Sequence, residues 1–147
     1  MEVRRAVPDD APAVAEVWLR SRRASVPAIP PPVHDEVEVR AWIQQVVSGS
    51  QEAWVALADG AVAAMLVLDG EWVDQLYVDP DWTGKGVGTV LLDLAKRRRP
   101  TRLRLWTFQA NAGARRFYER HGFVPKETTA GDNEEGAPDV RYEWTAG

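Results

Sequence analysis

Apolar residues along the chain switch between periods of roughly 3.6 and 2 residues, and the switches predict a mixed α/β architecture. Val3 to Val7 reads as a short first strand. Pro8-Asp9-Asp10 then opens a helix whose apolar positions Val14, Val17 and Trp18 recur at i, i+3 and i+4, ending near Arg22. From Ser25 to Pro32, four prolines (Pro27, Pro30, Pro31 and Pro32) exclude regular structure and predict a stiff connector. A second helix follows, with Val39, Trp42, Ile43 and Val46 on its apolar face. Ala53 to Ala58, Ala61 to Leu68 and Trp72 to Val78 read as three successive strands, because Asp59-Gly60 and Asp69-Gly70 between them are hairpin signals. After a glycine-rich loop come a helix with Val87, Val90, Leu91 and Leu94 on one face, a strand from Leu103 to Thr107 and a helix from Ala112 to Arg120. His121-Gly122-Phe123 closes that helix, and Phe123 to Glu127 and Val140 to Trp144 complete the strands, the last pointing Val140, Tyr142 and Trp144 to one side.

Composition narrows the picture. The 147 residues are 45% hydrophobic and 27% charged, the balance of a soluble globular protein, and the length predicts a single domain over 1–147. No apolar run reaches the roughly 20 residues of a membrane span, the first residues lack a secretory signal, and cysteine is absent, so a cytoplasmic protein without membrane partners is expected. The net charge of -4 argues against a nucleic-acid partner, despite basic residues from Lys96 to Arg104. With only His34 and His121 and no cysteine, no metal site is expected. A monomer or a homodimer is compatible with all of this.

The chemistry concentrates in Trp82-Thr83-Gly84-Lys85-Gly86-Val87-Gly88-Thr89, between a strand and an amphipathic helix. Three glycines allow close approach of backbone N–H groups, the helix start favours a phosphate, and Lys85 adds positive charge. Two competing motifs fail. A Walker A loop requires a glycine where Asp79 stands and Ser or Thr where Gly86 stands, and a dinucleotide fingerprint requires its third glycine one residue later. Read alone, the loop is either an anion site or a surface turn.

A second motif follows at Asn111-Ala112-Gly113-Ala114-Arg115-Arg116-Phe117-Tyr118, closing on Gly122-Phe123. Together with Val78-Asp79-Pro80 and Thr83 to Gly88, it resembles the GNAT N-acetyltransferases over essentially the whole chain. Thr83 departs from the family's Gln or Arg, which predicts weaker cofactor binding. The resemblance implies the GNAT acyl-CoA N-acyltransferase fold, α/β with a central mixed, mostly antiparallel sheet flanked by helices. It also implies acetyl-CoA as co-substrate and an amine of a small molecule or peptide as acceptor. The cofactor is then expected between Asp74 and Leu92, on Leu76, Tyr77, Val78, Thr83, Gly84, Lys85, Gly86, Val87, Gly88 and Thr89, with Asn111, Ala114 and Tyr118 from the later helix. Asn111 would bond the pantetheine arm, Ala114 would let it pass, and Tyr118 would be the general acid for the thiolate.

Asn111, Ala114 and Tyr118, spaced i, i+3 and i+7, share one helical stripe, although an aromatic pair such as Phe117-Tyr118 is also ordinary core packing. An ammonium acceptor must lose a proton before attack. Asp74 is the first candidate base and Glu71 the alternative; a strand-edge carboxylate paired with arginine is the competing role for Asp74. Trp18, Trp42 and Trp82 are candidates for lining an acceptor pocket. The acceptor is expected between the proline connector and the acidic loop carrying Asp132, Glu134, Glu135 and Asp139, an arrangement favouring a cation. A non-catalytic acyl-CoA sensor with the same fold is the alternative, and Tyr118 discriminates, since a sensor needs no general acid.

Overall fold

The two periods sort into one seven-stranded sheet with helices on both faces in the computed structural model, which describes residues 1–26, 29–49 and 51–147. Pro27, one of the connector prolines, lies outside the described residues. In chain order the elements are β1 (Glu2–Arg5), α1 (Ala11–Ala24), α2 (Glu36–Ser48), β2 (Glu52–Ala58), β3 (Ala61–Asp69), β4 (Trp72–Val78), α3 (Val87–Arg98), β5 (Arg102–Phe108), α4 (Ala112–Arg120), β6 (Val124–Thr129) and β7 (Asp139–Thr145). Single 3-10 turns at Pro8–Asp10 and Pro80–Trp82 precede α1 and the glycine loop.

Local chemistry explains the boundaries. Asp59 and Gly60 both take positive φ, 53° and 78°, as a two-residue hairpin turn requires. At the start of α2, Asp35 Oδ1 accepts from the Glu38 N–H at 2.8 Å, while Glu38 Oε1 accepts from the Asp35 N–H at 3.1 Å. This reciprocal pair satisfies two donors that a bare helix start leaves open.

The strands run in the order β1-β2-β3-β4-β5-β7-β6. All neighbours are antiparallel except β4 and β5, which are parallel and meet only at Trp72↔Arg104. Beyond that pair they diverge. On one face α1 and α2 bury Val14, Trp18, Val39 and Ile43 against Val55, Met65 and Val67. On the other, Leu91, Leu92 and Tyr118 from α3 and α4 pack on Leu66, Leu103, Leu105 and Tyr142. Full burial of each such side chain stabilises the fold by about 1.5–3 kcal/mol.

The pairing of β3 with β4 skips one residue. Val67 opposes Gln75 and Leu68 opposes Val73, which leaves Asp74 in a β-bulge. Val73 and Leu76 consequently face the same core although three positions apart. Among the described residues no helix is long and apolar enough to cross a membrane.

Candidate active site

Where β4 and β5 part, a cleft of about 630 Å³ opens, floored by β4 and walled by the glycine loop, α3 and α4. Leu76, Tyr77 and Val78 pair with β3 on one edge, through Leu66, Met65 and Ala64. Their other edge has no strand partner, because the β4–β5 ladder stops at Trp72. A row of backbone donors and acceptors therefore faces the cleft, and an extended ligand with amides can add to it as a strand would.

The glycine loop supplies the complementary end. Gly86 is the N-cap of α3 with φ 81°, and no side chain caps the helix. The first N–H groups of α3, at Val87, Gly88 and Thr89, thus lack intrahelical acceptors, and the helix dipole adds positive potential. Gly88 is small for a packing reason, since a Cβ there would lie 3.2 Å from Phe117 Cζ of α4. A larger residue there would require the Phe117 ring to give way by a few tenths of an ångström.

Leu76, Tyr77, Val78, Thr83, Gly84, Gly86, Val87, Gly88, Thr89, Asn111, Ala114 and Tyr118 all line this one cleft, together with Asp74. Lys85 is the exception: its ammonium sits over the Trp82 ring, 4.8 Å from the centroid, and it does not line the cleft. The Thr83 hydroxyl donates to the Pro80 carbonyl at 3.1 Å, so it braces the loop.

The start of α4 is fixed by a side chain that also lines the cleft. Asn111 lies before the helix as its N-cap, and its Oδ1 accepts from the Ala114 N–H at 3.1 Å. That bond uses one of the two lone pairs of Oδ1, so the second lone pair and the amide nitrogen remain for a ligand. Tyr118 is 9% exposed, with Phe123 and Tyr142 at ring distances of 5.6 and 6.4 Å. Its ring is core, and among the described residues its hydroxyl has no hydrogen-bond partner, though the residue borders the cleft. Burial raises its pKa above the ordinary 10.0, which keeps it a neutral O–H donor.

A second cleft, about 770 Å³, lies between α1, α2, the connector and the β6–β7 loop. Trp18 and Trp42 form its aromatic wall at 5.8 Å, edge to face. Trp82 is absent from that wall and lines the first cleft. The two clefts share Asp74, Gln75, Tyr77 and Phe108, so material in one meets material in the other there. Gln75 also accepts the Trp18 indole N–H at 3.2 Å, tying α1 to β4 at the junction. Desolvation raises the Asp74 pKa above the ordinary 3.8, opposed by its hydrogen bond with Gln75. Glu71, by contrast, is bound by Arg102 at 3.1 Å and borders neither cleft.

The connector and the acidic loop do come together, but their charges are largely paired. His34 Nε2 lies 2.7 Å from Glu134 and Nδ1 3.4 Å from Glu38, so bonding both carboxylates requires the doubly protonated ring. The bond to Glu134, then that to Glu38, raises the His34 pKa above 6.5. Glu135 lies 3.7 Å from Arg22, and Asp139 is buried, bonded by Thr129 and Asn133. Asp139 is thus part of the loop's frame, and only Glu134 and Glu135 of the four acids border the second cleft.

Sequence reasoning missed Arg22, Gln75 and Phe108. Arg22 left a signal: it continues the stripe Val14-Trp18 at the next i+4 step, a charge on an apolar face. Among the described residues no cluster of His, Cys, Asp and Glu could hold a metal ion.

The family model described as the acetyltransferase (GNAT) domain matches residues 49–125, just over half of the chain. The peptidyl-lysine N-acetyltransferase YjaB of Escherichia coli strain K12 is 31% identical over 127 residues, 84% of this chain and 82% of that one. An uncharacterized N-acetyltransferase of Methanocaldococcus jannaschii is 40% identical over 63 residues, 40% of this chain; the match spans only 28% of that longer protein. The solution structure of apo YjaB from Escherichia coli superposes with a TM-score of 0.80 at 23% identity, over 99% of this chain and 98% of that one. The yncA structure from Salmonella typhimurium, solved with acetyl-CoA, gives 0.72 at 19% identity, over 100% and 94% of the two chains. The solved structures share the fold.

Proposed function

The chain belongs to the GNAT acetyltransferase family, and from that premise we propose that it moves an acetyl group from acetyl-CoA directly onto a primary amine of a small molecule or peptide, acting as a single domain. The observation that carries this reading is the continuity of the unpaired β4 edge with the uncapped start of α3 along one cleft. The edge suits the amides of a pantetheine arm, and the orphaned N–H groups suit a pyrophosphate. Neither contact depends on a side chain, so Thr83 and the displaced Lys85 do not preclude the fit.

Bound acetyl-CoA supplies an activated thioester. This chain's residues do the rest. The clefts meet at Asp74, Gln75, Tyr77 and Phe108, where an amine from the second cleft reaches the acetyl carbon. Asp74, with its raised pKa, accepts the proton that the ammonium sheds, directly or through one water. Tyr118 donates its hydroxyl hydrogen toward the departing sulfur, for which a neutral, unpartnered phenol is suited. Trp18 and Trp42 keep bulk water from the acceptor side.

The test is release of CoA thiol from acetyl-CoA across a panel of amines: polyamines, amino acids, amino sugars and lysine peptides. Amine-dependent release supports the reading. Binding of acetyl-CoA without release by any amine would instead identify a sensor.

A further inference from the structure

Arg22 is the most buried charged side chain among the described residues, at 5% exposure, and it borders the second cleft. A guanidinium carries five N–H donors in a planar fork. Here one nitrogen donates to the Pro30 carbonyl at 3.2 Å. The carboxylate of Glu135 is 3.7 Å away, an ion pair beyond hydrogen-bond range, and among the described residues Nε is buried with no hydrogen-bond partner. The buried carboxylates are served better: Asp79 accepts from the Asp81 N–H at 2.9 Å, and Asp139 from Thr129 and Asn133. Arg104 Nε, also buried without a hydrogen-bond partner among the described residues, lies 3.6 Å from Glu143 and lines neither cleft. Leaving buried cationic donors open is costly, and structures usually avoid it.

The surroundings define what completes them. Trp18 and Phe108 lie 5.0 and 5.9 Å from the guanidinium carbon, so aromatic faces are already engaged and the polar fork is what remains. A planar carboxylate is the group that matches such a fork with two parallel hydrogen bonds. Arg22, Tyr77 and Asp74 all line this second cleft, so one ligand there can face both the guanidinium and the carboxylate.

We infer that the acceptor is an amine whose molecule also carries a carboxylate, with the amine at Asp74 and the carboxylate bonded by Arg22 in place of Glu135. This rests on the acetyltransferase reading of the site. Trp18, Trp42 and Val39 leave an apolar wall for the rest of the molecule, as an amino acid with an apolar or aromatic side chain presents. The carboxylate has two possible sources, a free amino acid or an acidic residue beside the acceptor amine of a peptide.

The experiment compares CoA-thiol release with amino acids against their carboxamides, and with lysine peptides bearing Glu against Gln next to the lysine. Binding of the same compounds is measured by calorimetry in the presence of CoA. The free acid is expected to exceed its carboxamide by about 10- to 100-fold in kcat/KM, the range set by a hydrogen bond to a charged group. Arg22→Lys, which keeps the charge without the fork, lowers that ratio toward one, and circular dichroism checks that the variant folds. A preference confined to the peptide pair assigns the carboxylate to a peptide. Turnover of amines with equal rates for acids and carboxamides overturns this inference and leaves the acetyltransferase reading standing. No turnover with any amine and no binding of the acids overturns both.

Discussion

Tyr118→Phe removes one oxygen and leaves the ring. The ring contacts with Phe123 and Tyr142, at 5.6 and 6.4 Å, survive the change, and the lost hydroxyl has no hydrogen-bond partner among the described residues. Stability should therefore change by no more than about 0.5 kcal/mol, a shift in melting midpoint of about 2 °C or less. Catalysis should suffer more. A positioned general acid contributes about 10²–10⁴-fold, and since a thiol titrates near about 8.5 the thiolate leaves fairly well unaided, so the lower end applies. The expected loss is about 100-fold in kcat, or about 2.7 kcal/mol. Thiol release at saturating acetyl-CoA measures it, and calorimetry should show the acetyl-CoA Kd within about threefold of the wild type. Because burial raises the Tyr118 pKa above 10.0, an alkaline fall in rate below that pH must come from another group. A variant with wild-type kcat would reassign Tyr118 to packing, and one with weakened acetyl-CoA binding would make it a cofactor contact rather than an acid.

Asp74→Asn should lower kcat/KM by about 100-fold and abolish the acidic limb of the profile, which in the wild type lies above 3.8 because desolvation raises the Asp74 pKa; an unaltered limb would exclude Asp74 as base. Glu52 is held at about 2, below its ordinary 4.5, chiefly by the hydrogen bond from Arg98. Its folded pKa is depressed, so its stabilisation is present above pH 4.5 and is lost as the pH falls toward about 2. Discounted for the half-exposed Arg98, Glu52→Gln should cost about 1–2 kcal/mol at pH 7 in urea unfolding, and nearly nothing at pH 2. Leu91→Ala, at a site with no exposure, should destabilise by about 2–5 kcal/mol in the same assay.

Much of the fold was legible because long periodic segments declare themselves. The β4 and α4 boundaries, Trp72–Val78 and Ala112–Arg120, match the expected ones and the other strands shift by a residue or two, whereas Pro8–Asp10, expected to open the first helix, forms a 3-10 turn ahead of α1. The insertion of β7 between β5 and β6 was not legible, since a hairpin's local pattern says nothing about which of its strands joins the sheet. Nor was the bulge at Asp74, because an extra residue hides inside an alternating run until its partner strand is known. At the site, the glycine loop and Tyr118 could be read from spacing and family likeness. Asn111 carries a second role that the likeness does not mention: its place just before a helix marks it as a cap on chemical grounds alone. Arg22 left a trace in the sequence as a charge on an apolar stripe, but its surroundings and the junction of the two clefts needed tertiary structure, since residues from α1, β4 and β5 meet there only after folding.

The central claim, that acetyl-CoA lies along the open β4 edge with its phosphates at the start of α3, is tested most directly by NMR titration of the labelled protein with acetyl-CoA. The backbone amides of Leu76 to Val78 and of Gly84 to Thr89 should shift most, with those of β1 and β6 little changed. Gly86→Asp, which puts a side chain and a negative charge at the helix start, should abolish those shifts. Shifts centred elsewhere, or an undiminished response in the Gly86→Asp protein, would contradict the account.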